Sequence, residues 1–331
     1  MQTTVHNQWN DYAERVLSGK QLTREEALSI LKADDREILP LLDAAYRVRS
    51  YHYGNKVKLN MIINAKSGLC PENCGYCSQS IVSDAPIEKY SFLDKKTLVN
   101  GAREAVKRQA GTYCIVASGR GATDREVDQV ADAVKEIKAE MPLKICACLG
   151  IVSEEKARRL QQAGVERYNH NLNTSAGHHN EITTSHTYGD RVETVQNVAR
   201  AGISPCSGVI VGMGETAHDI YDMSMELRGL DADSIPVNFL NAIEGTPLEN
   251  MDDLNPRYCL KVLAFFRFMH PDKEIRISGG REVNLRSLQV MGLYAANSIF
   301  VGDYLTTEGQ VATTDHEMIE DLGFEIEKCA L

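Results

Sequence analysis

Cys70, Cys74 and Cys77 crowd into the stretch CPENCGYC, and no fourth cysteine stands beside them. A structural zinc ion wants four protein ligands, and an iron–sulfur cube can also use four. Three thiolates leave one coordination position open, and an open position on a metal is where a small molecule binds and reacts. The C-x3-C-x2-C spacing also differs from the C-x2-C pairing usual for zinc. The expected group is a 4Fe–4S cluster held by three cysteines. The bland alternative is a zinc knuckle whose fourth ligand lies elsewhere.

The chain has nine cysteines, and the others fall at 114, 146, 148, 206, 259 and 329. The N-terminus MQTTVHNQWNDYAERV is polar and lacks an apolar signal core, so a cytoplasmic location is expected. In reducing cytosol such cysteines point to metal binding or catalysis rather than to disulfides. A formal net charge of −10 disfavours nucleic acid and anionic membranes, both of which need basic patches. No apolar run reaches the roughly 18 residues of a membrane span.

The elements that must position these thiols follow from the hydrophobic pattern. Residues 1–56 read as a helical extension, with Thr23 and Glu26 forming a capping-box pattern before an apolar run. From residue 57 strand-like and helix-like stretches alternate. VKLNMIIN, TYCIVASG, LKICACLG, VERYNHNL, ISPCSGVIVG, SIPVNFLNA, KEIRISGG and NSIFVGD make eight strands. Between them, Val127, Val130, Val134 and Ile137 recur at helical spacing. Gly111, Gly164 and Gly202 each follow an alanine where a helix should stop in the left-handed conformation. Eight alternations over about 250 residues predict a (β/α)8 TIM-type barrel over 57–303, followed by a C-terminal tail at 304–331 with a short helix. In such a barrel the active site lies at the C-terminal ends of the strands, where the cysteine triplet falls after the first strand.

The triplet, with Tyr76 before its last cysteine, resembles the radical S-adenosylmethionine enzymes. In that superfamily the open iron binds the methionine amino and carboxylate groups. An electron from the cluster splits the sulfonium, and the resulting 5′-deoxyadenosyl radical takes a hydrogen atom from an unactivated carbon. GVIVGMGE is similar to that superfamily's G-x-I-x-G-x-x-E pattern, which would lay Gly208, Ile210 and Gly212 against the adenine, with Glu215 closing the pattern.

Within the superfamily, GLCPENCGYCSQS, YNHNLNTS, TTSHTYGDR, CSGVIVGMGE, PVNFLNAIEGTPL and RISGGRE resemble the biotin synthase family over nearly the whole chain. The resemblance implies a second, sacrificial iron–sulfur cluster, 2Fe–2S, on Cys114, Cys146, Cys206 and Arg281. Its sulfide would enter dethiobiotin between C6 and C9. Two S-adenosylmethionine molecules per biotin, a flavodoxin-type reductant, iron–sulfur assembly proteins and a homodimer are implied as well. Asn169, Asn171 and Asn238 would contact dethiobiotin, Asn171 and Asn173 the cofactor, and Arg191 the methionine carboxylate. The family more often has aspartate where this chain has Asn173. Asn169, Asn171 and Asn173 stand at i, i+2 and i+4, which shares one face on a strand. Other barrels of the superfamily lyse or mutate amino acids or build cofactors, and a zinc-stabilised binding module is the non-enzymatic alternative.

The resemblance does not account for Cys148. CAC puts Cys146 and Cys148 on one face of a strand, roughly 6.6 Å apart. Four inward thiols would suffice for a four-iron auxiliary cluster, with Arg281 as charge partner or retained ligand. His178, His179 and His186 are expected in a solvated loop, Cys259 in the core and Cys329 idle near the end.

Overall fold

The computed structural model describes residues 3–328, so Cys329 lies outside the described residues. Among the described residues ten strands are present: β1 (Lys56–Lys66), β2 (Thr112–Ala117), β3 (Lys144–Cys148), β4 (Arg167–Asn169), β5 (Ser204–Cys206), β6 (Val209–Val211), β7 (Ser234–Phe239), β8 (Glu274–Ile277), β9 (Ser298–Phe300) and β10 (Glu325–Ile326). They pair in parallel in the order β1-β2-β3-β4-β5-β7-β8-β9, and β9 closes back on β1. β6 continues β5 along β7, so the ring has eight staves, and the expected barrel is found.

The break between β5 and β6 has a local cause. Pro236 on β7 has no N–H to give to the ladder. Gly208 passes so close that an added Cβ would stand 1.9 Å from the Pro236 carbonyl oxygen. The strand separates there and pairs again through Val209 and Val237. Gly208→Ala is therefore expected to destabilise the barrel by several kcal/mol, about the upper end of single-residue effects. Thermal unfolding of the metal-free protein reads this, and an unchanged Tm would contradict the close approach.

The helices obey the predicted pattern. Helix Asp124–Glu140 starts with a Thr123–Glu126 capping box and buries Val127, Val130, Val134 and Ile137 against the sheet. Thr23 and Glu26 form the expected capping box of helix Arg24–Leu31. Gly164 and Gly202 take positive φ, 105° and 77°. Gly111 does not. Gln109 turns the chain there with φ 58°, and Gly111 instead bridges the Leu59 carbonyl and the Lys144 amide. Helix Pro256–Met269, buried over most of its length, carries Cys259 into the core as expected.

At the C-terminus, helix Ala312–Asp321 is followed by β10, which pairs beside the start of β1. Among the described residues, no helix is long and apolar enough to cross a membrane.

Candidate active site

Residues facing each other across a parallel ladder point to the same side. Cys114 lies opposite Cys146, Cys146 opposite Arg167, Asn169 opposite Cys206, and Cys206 opposite Ser234. These positions line the inside of the barrel, and Cys114, Cys146 and Cys206 are all buried. Cys114 and Cys206 both act on the Cys146 thiol, so the three thiols are near neighbours inside the barrel. Contact with Cys114 pushes the Cys146 thiol well above its ordinary range. Burial does the same to Cys206, against the pull of the nearby Arg276 guanidinium. Asn169 Nδ2 stands 3.3 Å from Cys206 Sγ and 2.9 Å from Asn171 Oδ1.

The arginine that meets these thiols is Arg276, not Arg281. Arg276 Nη1 lies 4.0 Å from Cys206 Sγ, and Cys114 and Cys206 both act on its charge. Arg281 begins the helix after β8 and points away from the thiols. Its Nη1 donates to Asp315 Oδ1 at 2.7 Å and its Nη2 to Glu282 Oε1 at 2.9 Å, both towards the C-terminal segment. The expectation placed the charge five residues too late. The signal was legible: in EIRI, Glu274 and Arg276 alternate with Ile275 and Ile277, so a strand of this barrel had to turn two charges inward.

Above the deep thiols lies a cavity of about 400 Å³. Cys70, Cys74 and Cys77 line its mouth from the loop after β1. Turns within the loop join Cys77 N to Cys74 O at 3.2 Å and Ser80 N to Cys77 O at 3.1 Å. The rest is braced by the segment TTSHTYGDR. Asn73 Oδ1 accepts from Thr183 Oγ1, Thr184 N and Ser185 N at 2.9 to 3.1 Å, and Gly75 N donates to Ile182 O. Glu72 Oε2 accepts from Ser185 Oγ at 2.6 Å and from His186 Nδ1. Burial and the Arg191 charge hold His186 below its usual range, so it donates as a neutral imidazole. His179 donates through Nε2 to the His186 carbonyl at 3.0 Å. His179 and His186 are thus buried braces, not members of a solvated loop. Burial, with the neighbouring thiols, raises Cys77 to about 12 and raises Cys70 as well. Among the described residues no three His, Cys, Asp or Glu side chains converge on one ion.

Arg191 faces the same cavity. It is 7% exposed and makes no ion pair with a described carboxylate, and its Nε has no partner. Nη1 donates to Asn171 O at 2.9 Å. Asn173, four residues beyond the end of β4, has φ 69°, a conformation asparagine tolerates better than most residues. With its amide oxygen turned to the donors, Asn173 accepts from Arg191 Nη1 and Nη2 at 3.1 and 3.2 Å and from the Tyr76 hydroxyl at 2.6 Å. The i, i+2, i+4 strand face therefore ends before Asn173, because β4 stops at Asn169, although all three asparagines line the cavity. An aspartate here would neutralise Arg191, whereas asparagine leaves the guanidinium charge free for a ligand.

Ile210 is on the wall as well. The glycines around it serve packing. Gly208 clears Pro236, and an added Cβ on Gly212 would meet Leu254 at 2.6 Å. Glu215 closes the turn, accepting from the Gly212 and Met213 amides at 2.8 and 2.7 Å. Asn238 is engaged at both ends, donating to Val209 O and accepting from Gly279 N at 2.9 Å each. Cys148 lines the cavity one ladder step above Cys146, opposite Val116. Burial and the nearby Cys206 push it up to about 12.

The Radical SAM superfamily pattern matches residues 66–227, and the Biotin and Thiamin Synthesis associated domain matches residues 236–325. Biotin synthase of Geobacillus kaustophilus (strain HTA426) is 68% identical over 319 residues, 96% of each chain. Biotin synthase of Bacillus subtilis (strain 168) is 65% identical over 321 residues, 97% of this chain and 96% of that one. The chain belongs to the biotin synthase family. As a biotin synthase family member it is a radical S-adenosylmethionine enzyme, a sulfurtransferase of biotin synthesis. Among solved structures, a methylornithine synthase shares the fold with TM-score 0.82 at 19% identity, over 96% of this chain and 97% of that one. An FeFe-hydrogenase maturase from Carboxydothermus hydrogenoformans does so with TM-score 0.82 at 16% identity, over 98% and 80%.

Membership of the biotin synthase family implies a 4Fe–4S cluster and S-adenosylmethionine, and the residues fit both. Three thiols on one braced loop at the cavity mouth suit a cluster that leaves one iron open to a ligand. The unpaired Arg191, its Nε orphaned, suits the methionine carboxylate.

Proposed function

We propose that this chain converts dethiobiotin to biotin, placing sulfur between C6 and C9, with that sulfur drawn from an iron–sulfur group on Cys114, Cys146, Cys206 and Arg276. The observation that carries the reading is the placing of two thiol sets in one barrel: a three-cysteine loop at the mouth of the cavity, and Cys114 and Cys146 at its floor with Cys206 beside them. When bound, the mouth cluster and S-adenosylmethionine supply the radical that removes hydrogen from the substrate.

The chain's own residues do the rest. Arg191 orients the cofactor carboxylate, while Tyr76 and Asn173 fix Arg191 and close that side. Asn169 and Asn171 present amides between the two thiol sets, where a small polar ring such as the ureido group of dethiobiotin finds partners. Val116, Ile210 and Phe239 supply apolar wall. Leu305, Thr306 and Thr307 roof the cavity; Asn64 Nδ2 holds the Leu305 carbonyl at 2.8 Å, and Ser78 meets Thr306 at 2.7 Å. A roofed cavity keeps water from a radical. Asn238 keeps the ends of β6 and β8 together and borders the substrate. We infer further a cytoplasmic homodimer reduced by a flavodoxin-type donor and loaded by iron–sulfur assembly proteins.

A second reading gives the floor site four irons. It is favoured by Cys148, half-buried on the same face as Cys146 and close enough to Cys206 to feel its charge. Iron and sulfide analysis with Mössbauer spectra of the reconstituted protein tests both readings. About six irons per chain, unchanged in Cys148→Ser, supports the two-iron site. About eight, falling in that variant, supports the four-iron site. About four irons, with no biotin formed in the presence of dethiobiotin, would overturn the proposed function.

A further inference from the structure

The barrel floor holds a closed set of charges beneath the three deep thiols. Glu274, at the start of β8, is 2% exposed. Its Oε1 accepts from Arg276 Nη2 at 2.5 Å, Ser234 Oγ at 3.0 Å and Ser298 Oγ at 3.1 Å. Its Oε2 accepts from Arg167 Nη1 at 2.9 Å and Lys58 Nζ at 3.4 Å. The same serines grip Arg276, whose Nε donates to Ser298 Oγ at 3.2 Å and whose Nη2 donates to Ser234 Oγ at 3.0 Å. The Phe300 ring lies 5.0 Å from its guanidinium carbon. A fork held this way has one direction left, and Nη1 takes it towards Cys206 Sγ, 4.0 Å away.

Stability alone is a poor reason for such a set. Well-packed apolar residues usually serve a barrel floor as well as, or better than, a buried ion network. Two guanidiniums face the one fully buried carboxylate, and Lys58 is shared with the partly exposed Glu327 at 3.9 Å, so the floor is positive on the side facing the thiols. Arg167 is felt by Cys206 and Cys146, and Arg276 by Cys206 and Cys114. Thiolates around an iron–sulfide core are anionic, and local charge and hydrogen bonding set the potential of such a group.

We propose that Glu274 is a positioning residue: it aims Arg276 at the Cys114–Cys146–Cys206 site and, against Arg167, sets the positive charge beneath the iron–sulfur group held there. The inference rests on the floor-site reading above.

The test is a redox titration of the reconstituted holoenzyme, with the mouth cluster as internal reference. Glu274→Gln removes the buried negative charge and keeps the shape, so the floor cluster becomes easier to reduce. Arg167→Gln removes a positive charge and makes it harder to reduce. Each shift is expected at about tenfold in the reduction equilibrium, about 59 mV for a one-electron couple. A merely structural role would move both variants in the same direction or shift the mouth cluster too. Opposite shifts confined to the floor cluster support the proposal. Unmoved potentials, or shifts of one sign, overturn it. If Glu274→Gln does not fold, Arg167→Gln carries the test alone: a floor potential that stays put or rises overturns the proposal. About four irons in the wild-type protein overturns the floor-site reading and this inference together, whereas about six or eight with unmoved potentials overturns this inference alone.

Discussion

Alanine at any one of Cys70, Cys74 or Cys77 is expected to abolish reductive cleavage of S-adenosylmethionine, with 5′-deoxyadenosine falling at least about a hundredfold. Loss of a partner that merely orients a metal ligand already costs about 10- to 100-fold, and loss of the ligand itself costs more. No neighbour can substitute. The loop is pinned by Asn73, Gly75 and Glu72 to residues 182–186, so it cannot slide to offer another donor. The other described thiols sit on barrel strands or in the core. The variants should still fold, because the thiols make only weak contacts in the metal-free protein, such as that from Cys74 Sγ to Thr183 Oγ1 at 3.7 Å, and the braces remain. Chromatographic assay of 5′-deoxyadenosine from anaerobically reconstituted variants is the measurement, alongside unfolding of the metal-free forms. Wild-type output from any one of the three would remove the cluster from this loop.

Much of that site was legible because its information is local. Three cysteines in eight residues need no tertiary fold to be brought together, and alternation of apolar runs fixed where the loop had to emerge. The strands were equally clear, since each is a short apolar run bounded by glycine or polar residues. What escaped was decided by contacts distant in sequence. Arg281 and Arg276 are both buried arginines in one motif. Only closure of β8 between β7 and β9 shows that the earlier one faces the thiols while the later one answers Asp315.

The histidines were misplaced for a related reason. His179 and His186 lie in a polar stretch that looks solvated by composition, but Glu72, from another loop over a hundred residues earlier, holds His186, and His179 packs on His186 and Tyr188. Gly208 was predicted for close approach to a ring, and the structure shows a close approach of its own, to the Pro236 carbonyl. Asn173 needed the observed φ as well as the pattern, since period two holds only while the strand lasts.

Cys206→Ala is expected to separate the two chemistries. Biotin formation should fall at least about a hundredfold, because one of three neighbouring thiolates is gone and the floor group loses a ligand. Cleavage of S-adenosylmethionine should persist within about threefold, since Arg191, Tyr76 and the three mouth thiols do not depend on Cys206, and a threefold change is under 1 kcal/mol. The fold should survive, although the truncation leaves a small void and frees Asn169 Nδ2 from a sulfur contact. That amide keeps Asn171 Oδ1 and the Cys206 carbonyl as partners. Iron should drop by the content of the floor site while the mouth cluster keeps its spectrum. Arg276→Met should resemble Cys206→Ala in sulfur insertion but cost more stability, about 3–5 kcal/mol, because it strips a buried partner from Glu274. Arg281→Met, at the arginine first expected, should leave the floor iron in place. Biotin and 5′-deoxyadenosine, assayed from the same anaerobic reactions, read the division. If both products vanish from Cys206→Ala while its mouth cluster is spectroscopically intact, then the two sites do not divide the work as proposed.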